Sequence, residues 1–298
     1  MKVLVYGASG SQQFPVIKAL TNKGAKVVAT THQPGKVEIL TNAGAQAVIA
    51  NMVDKDRLEE ISQGIDAVSL LIPSLLADPK EGLDYAINAI DAAVKSDVKL
   101  LVWNTSGFIL PVKIGNPLMD VRIDIQDYLK KSGLPHIIIQ PSIYAENLLG
   151  PWTAPFVKDE QIVNYPTPEE MPIGWIATND VAAIVAEAIH SPHLVGQSFQ
   201  LSGIENLTGS QLAEKFSIGL NKKIQYRHMP PKDFGKIFYG LFGEGAGKGA
   251  EAMYQEITDT NNYPVMHSAK MSDVLKKLPI TITSIENWVA QHQSAFVK

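Results

Sequence analysis

Val3-Leu4-Val5-Tyr6-Gly7-Ala8-Ser9-Gly10-Ser11-Gln12-Gln13 is a short apolar run that breaks into a loop carrying two glycines, and an apolar helical stretch follows it. Strand, glycine turn and helix in that order open a βαβ unit. The tight turn brings backbone N–H groups and a helix N-terminus within reach of a pyrophosphate. The same rhythm continues to about residue 200. Strands are predicted at 3–6, 26–31, 46–50, 67–72, 100–104 and 136–140, each an apolar run rich in β-branched residues. Between them Leu83, Ala86, Ile87, Ile90 and Val94 keep one helical face, and Leu118, Val121, Ile125, Tyr128 and Leu129 another. A further helix opens near Asn179 and Asp180, repeats Val181, Ile184, Val185, Ala188 and Ile189, and precedes a strand at 198–202. Alternation of this kind specifies an α/β fold, a Rossmann-type doubly wound parallel sheet covered by helices on both faces.

Past Gly203 the pattern changes to a smaller, mainly helical C-terminal domain. Thr208 with Gln211, and Thr283 with Glu286, read as capping boxes, and residues 240–249 hold five glycines, which reads as either a flap or a solvent loop. The expected division is 1–150 plus about 176–200 for the nucleotide-binding domain, and 151–175 with 201–298 for the smaller substrate or partner domain. With no long linker, the two are expected to form a cleft.

The 298 residues carry 26 Lys and Arg against 30 Asp and Glu, a net charge of −4, so no basic face for nucleic acid is expected. Cysteine is absent, which removes disulfides, thiolate metal sites and cysteine nucleophiles. No apolar run is long enough for a signal-peptide core or a membrane span, and a cytoplasmic location without membrane contact is expected. His190 and His193 sit at a helix end without a carboxylate to complete a metal set, so no metal is expected. Lys130-Lys131 and Lys276-Lys277 read as solvated helix faces.

The end of the second strand selects the dinucleotide, because a carboxylate there accepts from the adenosine ribose and repels a 2′-phosphate. It reads Ala29-Thr30-Thr31-His32-Gln33-Pro34-Gly35-Lys36, with no carboxylate. Thr31, His32 and Lys36 can donate to a phosphate, which favours NADP(H). The alternative is that His32 and Lys36 are solvated loop residues.

Gly7-Ala8-Ser9-Gly10 with Gln12, the Pro34 and Lys36 loop, Leu71-Ile72-Pro73, Ser132-Gly133-Leu134-Pro135, Pro141 with Tyr144-Ala145-Glu146-Asn147-Leu148, and Asn179-Asp180-Val181-Ala182 together resemble the NmrA-like branch of the atypical short-chain dehydrogenases. The resemblance spans nearly the whole chain. It implies a Rossmann domain binding NADP(H), with Gly7, Ser9, Gly10, Ser11 and Gln12 as the phosphate loop and His32 where relatives often carry an Arg. It also implies Asn51 near the adenine in place of an Asp, Ile72 and Pro73 under the cofactor, Asn104 to Ser106 at the end of the fifth strand, and Tyr144 to Asn147 beside the nicotinamide.

Several positions depart from the family pattern. Gln13 replaces the third loop glycine, so either the helix shifts outward or the Gln side chain points into the site. Gln140 and Gln126 stand where the family has Arg and Glu. No Tyr-x-x-x-Lys follows any of the nine tyrosines, and Leu118 and Arg122 occupy the place of that dyad. Arg122 keeps the charge without shuttling protons, so alcohol dehydrogenase chemistry is not expected. Direct hydride transfer to a quinone or enone is compatible, with Arg122, Ser106 or Tyr144 meeting charge on the product oxygen. Phe108, Trp152, Phe156, Trp175, Phe238 and Tyr239 lie in segments expected to border the substrate, and an apolar or aromatic small molecule fits them; the alternative is that most are core residues of the smaller domain. Three readings compete: a reductase of such an acceptor, a non-catalytic NADP(H) sensor acting on a protein partner, and a scaffold that binds no nucleotide. A homodimer is compatible with each.

Overall fold

The computed structural model describes residues 1–73, 79–260 and 270–297. The apolar runs are strands β1 (Lys2–Val5), β2 (Lys26–Thr31), β3 (Gln46–Ile49), β4 (Ala67–Leu71), β5 (Leu100–Asn104) and β6 (His136–Pro141). Between them run α1 (Phe14–Asn22), α2 (Val37–Asn42), α3 (Lys55–Ser62), α4 (Pro79–Lys95) and α5 (Pro117–Ser132). The chain continues through β7 (Ile143–Tyr144), a 3-10 turn (Ala145–Leu149), α6 (Ala154–Glu160), β8 (Ile162–Tyr165), β9 (Trp175–Ile176), α7 (Thr178–Ile189) and β10 (Ser198–Leu201). It ends with α8 (Gly209–Leu220), β11 (Gln225–His228), α9 (Pro231–Phe242), α10 (Glu244–Thr260), α11 (Met271–Lys277), α12 (Ile285–Gln291) and α13 (Gln293–Phe296).

Seven strands form one parallel sheet in the order β10-β6-β5-β4-β1-β2-β3. Strands covered on both faces have no polar side to alternate with, which is why β1, β4 and β5 read as unbroken apolar runs. The order reverses between β1 and β4, and the carboxyl ends of those strands flank the crevice where nucleotides bind in sheets of this class. Leu4, Val28, Val68, Leu101 and Trp103 pack with Ala86 and Ile90 of α4 and Ile125 and Leu129 of α5. The expected face of α7 is buried throughout. The side chain of Leu118 lies outside the described residues.

The chain divides into two compact units. The first comprises 1–141, 178–201 and 272–280, and the second 142–177, 202–271 and 281–298. Two segments fall differently from the expected division. Residues 142–150 belong to the second unit because Ile143, Ala145 and Leu148 join its apolar core with Val163, Phe216 and Trp288. Residues 272–280 belong to the first, where Lys277 Nζ donates to Gln197 at 2.7 Å and lies 5.9 Å from the centre of the Phe199 ring. Lys277 is exposed, as expected of a solvated helix face, and from that face it reaches Gln197 and the Phe199 ring of β10.

The glycine-rich stretch 240–249 is neither flap nor loop. It is the end of α9 and the start of α10, with Gly243 at φ +89° between them. Within the stretch it is Gly247, facing Gly235 of α9, that lets the two helices touch. A Cβ on Gly235 would lie 3.0 Å from the Gly247 carbonyl, and one on Gly247 would lie 2.8 Å from the Gly235 carbonyl. Thr208 and Gln211 form the expected capping box, whereas α12 is capped one residue later than expected, by Ser284 accepting from the Asn287 N–H. No helix among the described residues is long and apolar enough to cross a membrane.

Tyr6 and Tyr165 are sealed in these cores, and Tyr226 is partly buried against the second. Burial pushes the Tyr6 hydroxyl up to about 12. Burial also raises Tyr165 and Tyr226, against smaller opposing contacts from Tyr254 and Thr167 respectively. A raised tyrosine stabilises fully below its unfolded value near 10, and that contribution is lost as pH climbs toward the folded value. Urea stability is therefore expected to hold to about pH 9 and then fall by about 1.4 kcal/mol per pH unit for each of the three. Urea midpoints across pH 8 to 11.5, alongside tyrosinate absorbance, test this, and a flat profile above about pH 10 contradicts it.

Candidate functional site

The loop after β1 is shaped by its backbone. Gly7 adopts φ +64°, a region that glycine enters without steric cost. Thr30 of β2 holds the loop from the side: its hydroxyl accepts from the Gly7 N–H at 3.2 Å and its carbonyl from the Ala8 N–H at 3.0 Å. Gly10 N–H closes on the Gly7 carbonyl, and the Gln13 and Phe14 N–H groups close on the Gly10 carbonyl. Among the described residues, the N–H groups of Ser9, Ser11 and Gln12 have no acceptor. They are free donors at the front of α1, in the partly exposed stretch from Ser9 to Gln12. Gln12 Oε1 is buried without a partner.

Gln13 does not turn its side chain to the front of the loop. Its side chain is 1% exposed and turns into the sheet, where Oε1 accepts from the Ser69 hydroxyl at 3.3 Å and Nε2 donates to the Ser69 carbonyl at 3.4 Å. It occupies the space behind the loop and leaves the front open. Ser69, a lone hydroxyl in the apolar run of β4, was the available signal for this pairing.

Thr31 is buried, with its hydroxyl engaged by Ser9 Oγ at 3.0 Å and by the Gln33 N–H at 3.1 Å, so it laces the end of β2 to the loop. His32 and Lys36 are exposed beside it, His32 Nε2 lying 3.3 Å from the Gln33 amide and Lys36 closing a 3-10 turn, Pro34–Lys36. At the end of β3, exposed Asn51 accepts from the Val53 N–H at 3.3 Å. Ile72 is buried and Pro73 exposed just beyond β4. All of these residues belong to the first unit.

Beyond β5 the chain makes a constrained turn. Ser106 sits at φ +52°, an unusual conformation for a residue with a side chain, and its N–H donates to Asn104 Oδ1 at 3.0 Å. Arg122 of α5 donates through Nε to the Thr105 carbonyl at 2.9 Å and through Nη2 to the Ser106 carbonyl at 3.3 Å. Its guanidinium lies so close that a Cβ on Gly107 would be 3.0 Å from Nη2. The Ser106 hydroxyl has no partner among the described residues. Ser106 and Arg122 are thus brought together, with Arg122 gripping the turn. Gln140 supports it from β6, accepting from the Ile109 N–H at 2.7 Å and donating to Ser198 Oγ at 2.6 Å. A buried glutamine that bridges a loop and a neighbouring strand has no signature in the sequence alone.

Tyr144 and Asn147 belong to the second unit, Tyr144 buried in β7 and Asn147 half-buried in the 3-10 turn. Of the aromatic residues expected at a substrate, Trp152 and Trp175 lie in this unit's core. Trp152 packs on Phe234 and Phe238 with ring centroids 5.3 and 5.1 Å apart, and Trp175 meets Tyr165 edge-on at 5.0 Å. Phe108 is buried in the first unit. Phe156 and Phe238 are half-buried, and Tyr239 is 58% exposed.

A family model described as the NmrA-like family matches residues 1–289. The chain is 24% identical over 234 residues to quinone oxidoreductase 2 of Escherichia coli, covering 78% of this chain and 79% of that protein. The crystal structure of Citrobacter sp. triphenylmethane reductase complexed with NADP(H) is similar with a TM-score of 0.81 at 15% identity, covering 97% of this chain and 99% of that one. NmrA, a negative transcriptional regulator solved in complex with NADP, is similar at 0.74 and 17%, covering 97% and 94%. At these identities the solved structures speak for the fold, and the family match spans both units. The chain belongs to the NmrA-like family.

Proposed function

We propose that this chain is an NADP(H)-dependent oxidoreductase that reduces a small apolar acceptor, a quinone, enone or related carbonyl. The observation that carries the reading is the loop after β1, whose Ser9, Ser11 and Gln12 N–H groups lack acceptors while Gln13 is withdrawn behind it. Unpaired N–H groups at a helix N-terminus form an anion site, and a pyrophosphate satisfies them. Gly7, Gly10 and Gln12 complete that loop. His32 and Lys36, with no carboxylate beside them, attract a 2′-phosphate, and Thr31 serves by holding Ser9. Asn51 is proposed at the adenine, Ile72 and Pro73 beneath the cofactor, and Asn104 near its ribose, with Tyr144 and Asn147 at the nicotinamide. The cofactor supplies a hydride.

The chain's own contribution is to place a donor near the acceptor's oxygen. Ser106 is suited to that role, because its hydroxyl is uncommitted and Asn104 and Arg122 hold its backbone. Arg122 adds positive charge beside the turn, which favours a developing oxyanion. Phe238 and Tyr239 offer ring surface to an apolar acceptor.

Titration with NADPH and NADH, followed by an acceptor panel of quinones and enones, tests the reading. Micromolar NADPH affinity, weaker NADH affinity and NADPH oxidation by a panel member are expected. The His32→Ala, Lys36→Ala double variant is expected to lose about tenfold or more in NADPH affinity, with NADH unaffected. NADPH binding without turnover on any acceptor favours the second reading, a sensor that acts on a protein partner, for which the absent Tyr-x-x-x-Lys and the regulator NmrA speak. The scaffold reading loses one of its two supports, since Gln13 is turned away from the front of the loop.

A further inference from the structure

The segment carrying Tyr144 and Asn147 has little internal support. β7 has two residues, and the 3-10 turn after it has five. Hydrogen bonds in such turns have poor geometry, so surrounding side chains must hold the shape. Ser142 Oγ donates to the Gly174 carbonyl at 2.7 Å. Asn147 contacts the hydroxyl of buried Tyr165, which lies 3.1 Å from the Tyr254 hydroxyl. The third support comes from 142 residues further along the chain, where Trp288 of α12 donates Nε1 to Glu146 Oε1 at 3.2 Å.

That bond distinguishes Trp288 from the other three tryptophans, since Trp103, Trp152 and Trp175 are buried with Nε1 lacking an acceptor. Burial in this protein therefore does not by itself bring an indole a partner, and the pairing to Glu146 is a specific arrangement. Trp288 is 1% exposed and held between His292, 4.5 Å away with its ring tilted 32°, and Phe296 at 6.1 Å, so its donor has a fixed direction. A carboxylate acceptor makes the bond a strong one.

We propose that Trp288 is a positioning residue, which through Glu146 fixes the turn over 145–149 and so places Tyr144 and Asn147 for the nicotinamide end of the cofactor. This rests on the NADP(H) reading above. Trp288→Phe keeps a ring and removes the donor, Glu146→Ala removes the acceptor, and Glu146→Gln keeps an oxygen acceptor. In the full chain without cofactor, amide exchange over 143–149 is expected to quicken about five- to tenfold in Trp288→Phe and in Glu146→Ala, with Glu146→Gln near wild type. NADPH affinity is expected to fall over the same range in both, and the loss in the double variant to stay well short of the sum of the two, because both single changes remove the Trp288–Glu146 bond. Unchanged exchange in both single variants overturns the proposal, as do additive losses in the double variant. Should Trp288→Phe fail to fold, the two Glu146 variants decide by the same readouts. A wild-type chain that does not bind NADPH overturns the nicotinamide role together with the functional reading, and the exchange difference then decides separately whether Trp288 anchors the turn.

Discussion

A Ser11→Glu chain is expected to bind NADPH about a hundredfold more weakly than the wild type while unfolding at the same urea concentration. Ser11 is exposed, so a longer side chain there meets solvent and leaves the core untouched. Its N–H is one of the three unpaired donors at the front of α1. A carboxylate about 5 Å from a pyrophosphate charge, at an effective dielectric constant of about 20, costs about 3 kcal/mol. Ser11→Ala, which keeps the backbone donor, is expected to bind as the wild type does. Fluorescence titration of the two variants with NADPH separates charge from side-chain loss. Equal affinity of Ser11→Glu and wild type would place the pyrophosphate elsewhere.

The largest loss of stability from a single methyl group is expected at Gly203. A Cβ there would lie 2.2 Å from the Trp175 carbonyl oxygen, 3.1 Å from its carbon and 3.3 Å from its nitrogen. All three are backbone atoms, so no side chain can swing away, and β9 itself must move. Gly203→Ala is expected to destabilise by about 3 kcal/mol or more, at the upper end for overpacking. Because β9 pairs with β7, the displacement reaches Tyr144. Gly35, with nothing within 4 Å of an added Cβ, is the silent control as Gly35→Ala. Urea unfolding compares the two, and a Gly203→Ala midpoint equal to that of the control contradicts the close approach.

The parallel sheet was legible because a strand covered on both faces advertises itself as a continuous apolar run, whatever its neighbours are. β2 and β5 match their expected residues, and the other strands of the sheet differ by a residue at one or both ends. The glycine stretch was misread for the opposite reason. Glycine lowers helix propensity, and only the meeting of α9 with α10 shows why a small residue is required at Gly247, opposite Gly235. The capping of α12 was displaced by one residue because Thr283 and Ser284 are chemically equivalent as caps, and backbone direction alone chooses between them.

The candidate site divides in the same way. Loop glycines, the missing carboxylate after β2 and the missing Tyr-Lys pair are facts about residue type at fixed spacing, and such local facts survive without coordinates. The side-chain partnerships of Gln13, Arg122, Gln140 and Trp288 are not local. Gln13 and Ser69 are 56 residues apart, Gln140 and Ser198 are 58 apart, and Glu146 and Trp288 are 142 apart. Sequence alone determined the α/β architecture, the glycine loop after β1 and the family. The tertiary structure decided which way Gln13 turns, that Arg122 grips a turn, and that Trp152 and Trp175 are core, because hydrogen bonds and ring contacts between distant segments exist only once the chain has brought them together.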